Sequence, residues 1–198
     1  MRVVQAARGA SLTGPVAADQ QPQQGKSDVP AGLAVGMPRR RVGTLLAVAV
    51  AVLGLDIASK AAVVAKLSGH QPVRLIDGFL QLHLERNSGA AFSFAPGLTI
   101  VFSLIAITVV VVILRSSRRI RSLPWAITLG LLLGGATGNL IDRIFRSPGV
   151  FRGWVVDWIQ VPHWPVFNLA DSAIVCGGIL AVLLSIRGIR LDGQREPR

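Results

Sequence analysis

The chain is short of charge, of cysteine and of histidine, and each shortage removes a class of protein. Only 16% of its 198 residues are charged, 51% are hydrophobic and the mean hydropathy is positive, which excludes an ordinary soluble domain. Cys176 is the only cysteine, so no intrachain disulfide can form, and its place inside an apolar run is explained by packing. The three histidines, His70, His83 and His163, are widely scattered and no H-E-x-x-H occurs, so metal hydrolysis finds no support and no metal site is expected. Serine chemistry is equally unsupported, because there is no G-x-S-x-G and no histidine within an apolar run. Acidic residues are also scarce, 10 against 21 basic ones, for a net charge of +11. The basic residues flank apolar runs in short clusters rather than lining one amphipathic face, so no nucleic-acid partner is expected.

Residues 1–38 are rich in Ala, Gly, Gln, Pro and Ser without apolar periodicity and read as a disordered N-terminal extension. No signal peptide is evident, since the first hydrophobic run begins only near Val42. Met37, directly before Pro38-Arg39-Arg40-Arg41, marks an alternative start of translation.

What is present is apolar length. Four segments, near 43–65, 97–114, 124–142 and 165–186, each approach the roughly 17 to 25 residues that span a bilayer. Arg39 to Arg41 precede the first, Arg115, Arg118, Arg119 and Arg121 fill the short loop after the second, and Arg187 and Arg190 follow the fourth. The positive-inside rule makes those ends, with both termini, cytoplasmic. The loops near 66–96 and 143–164 then lie outside. Leu80 to Glu85 alternates apolar and polar residues, the period of a half-buried strand, so a small sheet is expected on the outer surface. Trp154, Trp158 and Trp164 suit the membrane interface. Gly130, Gly134 and Gly138 put a small-residue face on the third span for close helix packing.

Depth brings the polar residues together. Asp56 and Lys60 lie roughly 20 and 26 Å along the first helix, and Asn139, Asp142 and Arg143 roughly 23 to 29 Å along the third, both helices starting inside. Asp171 enters from outside only about 6 to 9 Å deep, with Asp157 in the loop just before it. Each has a bland reading: Asp56 and Lys60 as a mutually neutralising pair, Asn168 and Asp171 as a local cap, Asp142 and Arg143 as interfacial charges, Asp157 as a solvated carboxylate. None of these explains why all fall at one level. A carboxylate in an apolar helix is costly to insert, about 2.5 to 3.5 kcal/mol, which marks Asp171 as functional. Two carboxylates sharing a proton supply a base for water and an acid for a leaving amine, and Asp157 with Asp171 is the best such pair.

Five blocks in order are similar to the lipoprotein signal peptidase (signal peptidase II) family of membrane aspartic peptidases. They are Leu55-Asp56-Ile57-Ala58-Ser59-Lys60, Arg86 to Ser93 around Asn87-Ser88-Gly89, Gly134 to Arg143, Val155-Val156-Asp157-Trp158, and Phe167-Asn168-Leu169-Ala170-Asp171-Ser172. The resemblance spans about residues 42–187. It implies an all-α membrane protein, a four-helix transmembrane bundle with a small extracytoplasmic β-cradle, and a catalytic dyad at Asp157 and Asp171. It makes Asp56, Lys60, Asn87, Gly89, Gly135, Asn139, Arg143 and Asn168 the supporting positions. It also implies a multi-pass protein of the bacterial cell (inner) membrane that cuts diacylglyceryl-modified prolipoproteins just before the lipidated cysteine, without cofactor. The expected organisation is an extension 1–38, a peptidase domain 39–188 and a cytoplasmic tail 189–198, acting as a monomer whose partners are substrate and lipid. Two departures stand out: Trp158 where the family commonly has Phe, and a long loop from Arg146 to Trp154. A transporter, the rival reading, requires polar residues through the full membrane thickness, whereas the cytoplasmic halves of the spans are almost wholly apolar, and a non-catalytic scaffold leaves the aspartates without a purpose.

Overall fold

A computed structural model describes residues 40–89 and 98–195. The expected extension 1–38 and Ala90 to Ser93 of the second block lie outside the described residues.

Four helices are long and apolar enough to cross a membrane: α1 (Val42–Leu67), α2 (Leu98–Ser116), α3 (Leu123–Phe145) and α4 (Leu169–Ile186). Helices α1 to α3 match the expected spans within a few residues. The fourth starts later than 165, because the Phe167 amide donates to Ile159 O at 3.0 Å and Asn168 caps the helix. Most of the bundle's outer surface is apolar, with Val50, Leu104, Ile179 and Val182 each more than half exposed, as a helix surface meeting lipid tails requires.

Helix α3 packs against the other three. Its glycine face works as the spacing predicts: a Cβ at Gly130 would meet Val48 at 2.7 Å, and one at Gly134 would meet Ala49 O at 2.7 Å, so α1 lies directly on the α3 backbone. A Cβ at Gly135 would meet Ala170 O at 2.5 Å, which brings the head of α4 equally close.

Where α1 and α3 end and α2 and α4 begin, a three-stranded antiparallel sheet forms in the order β1 (Val73–Ile76), β2 (Leu80–Asn87), β3 (Val155–Gln160). The expected strand at Leu80 to Glu85 is present and runs on to Asn87, but Leu80 to Leu84 are all half-buried rather than alternating. Asp157 is not in a loop: it sits on β3 opposite Glu85, with Asn87 opposite Val155. The long Arg146 to Trp154 segment folds back on α3, closed by Trp154 N to Ser147 O and Gly153 N to Arg143 O, both 3.0 Å.

The opposite end is tied by backbone bonds. Arg41 N donates to Ile120 O at 2.9 Å, and the amides of Arg121 and Ser122 both donate to Leu191 O, which pins the segment after α4 beneath the α2–α3 connection.

Candidate active site

Asp157 is 2% exposed, and its two oxygens are held from two elements. Asn87 Nδ2, on the last residue of β2, donates to Oδ2 at 2.9 Å, and Asn168 Nδ2, at the N-cap of α4, donates to Oδ1 at 2.6 Å. Burial pushes the Asp157 carboxyl up to about 7, and the nearby Asp171 carboxylate adds to the rise while the Asn87 and Asn168 hydrogen bonds and the Lys60 charge oppose it. Such a group is poised to hold and release a proton near neutrality.

Asp171 occupies the first turn of α4. The local cap expected of Asn168 and Asp171 is present as a capping box: Asp171 N donates to Asn168 Oδ1 at 2.9 Å, and Asn168 N donates to Asp171 Oδ2 at 3.2 Å. Asp171 Oδ1 also accepts from Asn139 Nδ2 at 2.7 Å. Asn139 Oδ1 in turn accepts from Lys60 Nζ at 3.0 Å and Asn168 Nδ2 at 3.1 Å. One polar network thus includes both aspartates, with Asn168 bonded to each.

Beneath it lies a buried charge cluster. Lys60 Nζ is 2.7 Å from Asp56 and 2.9 Å from Asp142, all three nearly or wholly buried. Mutual neutralisation of Asp56 and Lys60 is real but incomplete as a description, because each carboxylate also holds a backbone amide. Asp56 Oδ1 accepts from Ala170 N at 3.1 Å, and Asp142 Oδ2 accepts from Val156 N at 3.2 Å. Ala170 precedes Asp171 and Val156 precedes Asp157, so Lys60 stands at the centre of a brace that sets the backbone before both aspartates. Asp142 is therefore no snorkelling interfacial charge, and neither is Arg143, which is 9% exposed. Asp142 is absent from the expected supporting set. Its signal in the sequence was the Asp142–Arg146 spacing of i, i+4, seen here as an ion pair of 2.5 Å.

Arg143 lies over the Phe102 ring, 5.5 Å from its centroid, and its Nη1 is buried without a hydrogen-bond partner. Both line a cleft of about 290 Å³ that runs between α2, α3 and α4, past Ile105 and Ala136, to Asn139 and Asp171. Gly89 lies against Phe102 and Arg143: φ is +86°, its amide donates to Asn87 Oδ1 at 2.7 Å, and a Cβ there would meet the Phe102 ring at 2.8 Å. The Gly89 amide thereby turns the Asn87 amide group toward Asp157. Trp158, the departure from the family's Phe, is half-buried and its indole Nε1 has no hydrogen-bond partner.

The sequence-predicted residues thus converge. Asp56, Lys60, Asn87, Asn139, Asp157, Asn168 and Asp171 share one hydrogen-bonded network, Arg143 lies beside it on the cleft, Gly89 bonds Asn87 and packs on Phe102, and Gly135 acts one layer back through helix packing. The buried charged side chains are Asp56, Lys60, Asp142, Arg143 and Asp157, all toward the sheet end, so among the described residues no buried charged path crosses the bundle.

Comparison with known proteins gives the same grouping. The family model described as Signal peptidase (SPase) II matches residues 48–187. A lipoprotein signal peptidase of Streptomyces coelicolor is 59% identical over 155 residues, covering 78% of this chain and 76% of that protein. One from Mycobacterium tuberculosis is 53% identical over 161 residues, 80% of each chain, and one from Rhodococcus jostii is 48% identical over 172 residues, 85% of this chain and 86% of that one. Two bacterial membrane enzyme structures determined by the in meso method superpose with TM-scores of 0.67 and 0.66 at 27% and 26% identity. They cover 76% and 82% of this chain and 97% and 99% of their own. On motif order, fold and identity together, this chain belongs to the signal peptidase II family of membrane peptidases.

Proposed function

We propose that this chain removes the signal peptide from prolipoproteins whose cysteine carries a diacylglyceryl group, using Asp157 and Asp171 as a catalytic dyad. The observation that carries the dyad is Asn168: one side chain bonds both aspartates, one on a strand and one on a helix, at the head of an apolar cleft.

The chemistry follows from the two environments. Asp157, pushed up to about 7, carries the proton, and Asp171, held by the Asn139 side chain and the Asn168 amide, acts as the base. Asp171 takes a proton from water as its oxygen attacks the carbonyl carbon of the residue before the lipidated cysteine. Asp157 protonates the carbonyl oxygen, and the tetrahedral carbon then breaks its C–N bond as Asp171 passes its proton to the cysteine amine and a hydroxyl of the collapsing gem-diol returns one to Asp157. The carboxyl product leaves on the signal peptide, the amine on the lipoprotein, and no cofactor enters the scheme.

The cleft between α2, α3 and α4 accepts the apolar signal segment from the bilayer, and the free Arg143 Nη1 meets a peptide carbonyl there. By the arginine clusters, both termini are cytoplasmic and the sheet end with its dyad lies at the outer face of the bacterial cell membrane, the enzyme acting as a monomer. The test compares purified full-length protein on one precursor with and without the diacylglyceryl group. Cleavage before the cysteine of the modified form alone is expected; equal cleavage of the unmodified form overturns the substrate assignment.

A further inference from the structure

At the end of the bundle away from the sheet, α2, α3 and the segment after α4 enclose a second cleft of about 520 Å³, within the roughly 300 to 1,000 Å³ of small-ligand sites. Its inner walls are apolar, from Val112 on α2, Trp125 and Leu129 on successive turns of α3, and Leu191. Its mouth carries Arg119 and Arg190 with the Ser116 hydroxyl and one carboxylate, Asp192. The cleft is built rather than incidental. Its third wall is held in place by Trp125 Nε1 donating to Ile189 O at 2.7 Å and by the Arg121 and Ser122 amides on Leu191 O.

Charge selects the occupant. The described residues at this end include Arg40, Arg41, Arg115, Arg118, Arg119, Arg121, Arg187, Arg190 and Arg195, against one acid, Asp192. Asp192 touches Arg190 only at 4.0 Å, and among the described residues no acid forms an ion pair with Arg119. Guanidinium groups bind phosphate through paired N–H donors, and the apolar walls descend from that mouth by two helical turns, about 10 Å, toward the bilayer core. A ligand that fills both parts has an anionic phosphate head and a hydrocarbon chain.

We propose that this cleft is a binding site for one anionic phospholipid, its phosphate between Arg119 and Arg190 and an acyl chain along Trp125 and Leu129. The site is independent of the peptidase reading, since no residue of the Asp157–Asp171 network lines it.

Native mass spectrometry of the delipidated full chain in detergent, with equimolar phosphatidylglycerol and phosphatidylcholine, tests it. One phosphatidylglycerol is retained in preference, by about fivefold for each contributing arginine. Arg119→Gln with Arg190→Gln abolishes the preference, Leu129→Trp lowers retention of the lipid with both arginines intact, and Arg118→Gln, outside the cleft, changes nothing. Equal retention of the two lipids by the unmodified protein overturns the proposal, as does an Arg118→Gln effect equal to that of the double variant, which indicates diffuse surface charge. Loss of the bound lipid to inorganic phosphate at equal concentration also overturns it, since the chain then contributes nothing.

Discussion

Asn168 donates a 2.6 Å hydrogen bond to Asp157 with the same amide group whose oxygen accepts the backbone N–H of Asp171. The cap of a membrane helix is thereby also the link between a strand carboxylate and the backbone of the helix aspartate, whose own carboxylate accepts the Asn168 N–H.

Replacing either aspartate by asparagine keeps the shape and removes the proton traffic. Asp157→Asn and Asp171→Asn are each expected to slow processing of a lipid-modified precursor by at least about a hundredfold, at normal abundance in the membrane. Wild-type cleavage by either variant ends the dyad assignment.

The raised Asp157 carboxyl sets a pH limit. Below a value near 7 the Asp157 carboxyl holds its proton, and above it that proton is lost, so kcat/KM should fall by about tenfold per pH unit beyond that point. The Asn87 hydrogen bond favours the charged form, so Asn87→Ala removes a lowering influence and moves the alkaline limb to higher pH. A pH–rate profile in which the limb stays put, or moves down, contradicts this account of Asp157.

Lys60 neutralises two buried carboxylates. Lys60→Met leaves Asp56 and Asp142 unpaired by it and is expected to destabilise the fold by about 3 to 5 kcal/mol. Adding Asp56→Asn and Asp142→Asn should recover part of the loss. Thermal unfolding in detergent is the readout, and an unchanged midpoint for Lys60→Met would show that the cluster carries no net electrostatic weight.

Two glycines should separate cleanly. At Gly138 a Cβ would lie 2.5 Å from Asp56 Oδ2, so Gly138→Ala is expected to cost about 1 to 3 kcal/mol and to lower activity through the Asp56–Ala170 contact. At Gly54 a Cβ would meet nothing within 4 Å, and Gly54→Ala should be neutral or stabilising by up to about 1 kcal/mol. Equal effects at the two positions would refute the packing argument.

The spans were readable because their signal is length and apolarity, properties of each segment alone. Strand β2 was readable from its alternation. Strands β1 and β3 were not: Val73–Ile76 is four residues long, and Val155-Val156 is a continuous apolar pair because β3 is covered by its neighbours and shows no period of two. The same limit hid the bracing role of Asp142, though not its depth. Its partner, the Val156 amide, is 14 positions away and arrives only because the Ser147–Trp154 loop folds back on the end of α3. Depth arithmetic put the polar groups at one level, but the brace from Lys60 to the two backbone amides depends on contacts among three helices and a strand that no single segment encodes.

The return from β3 to α4 has a practical side. Ile159 and Phe167 pair across it, with the Phe167 carbonyl accepting from both Trp158 and Ile159, while Pro162 to Pro165 at the tip are exposed. Distance between the two aspartates is therefore set by the base of a closed hairpin and not by the length of its turn. Because doubling a loop adds only about 0.6 kcal/mol of closure entropy, this tip can accommodate an inserted peptide, a label or an antibody epitope without disturbing the chemistry below it.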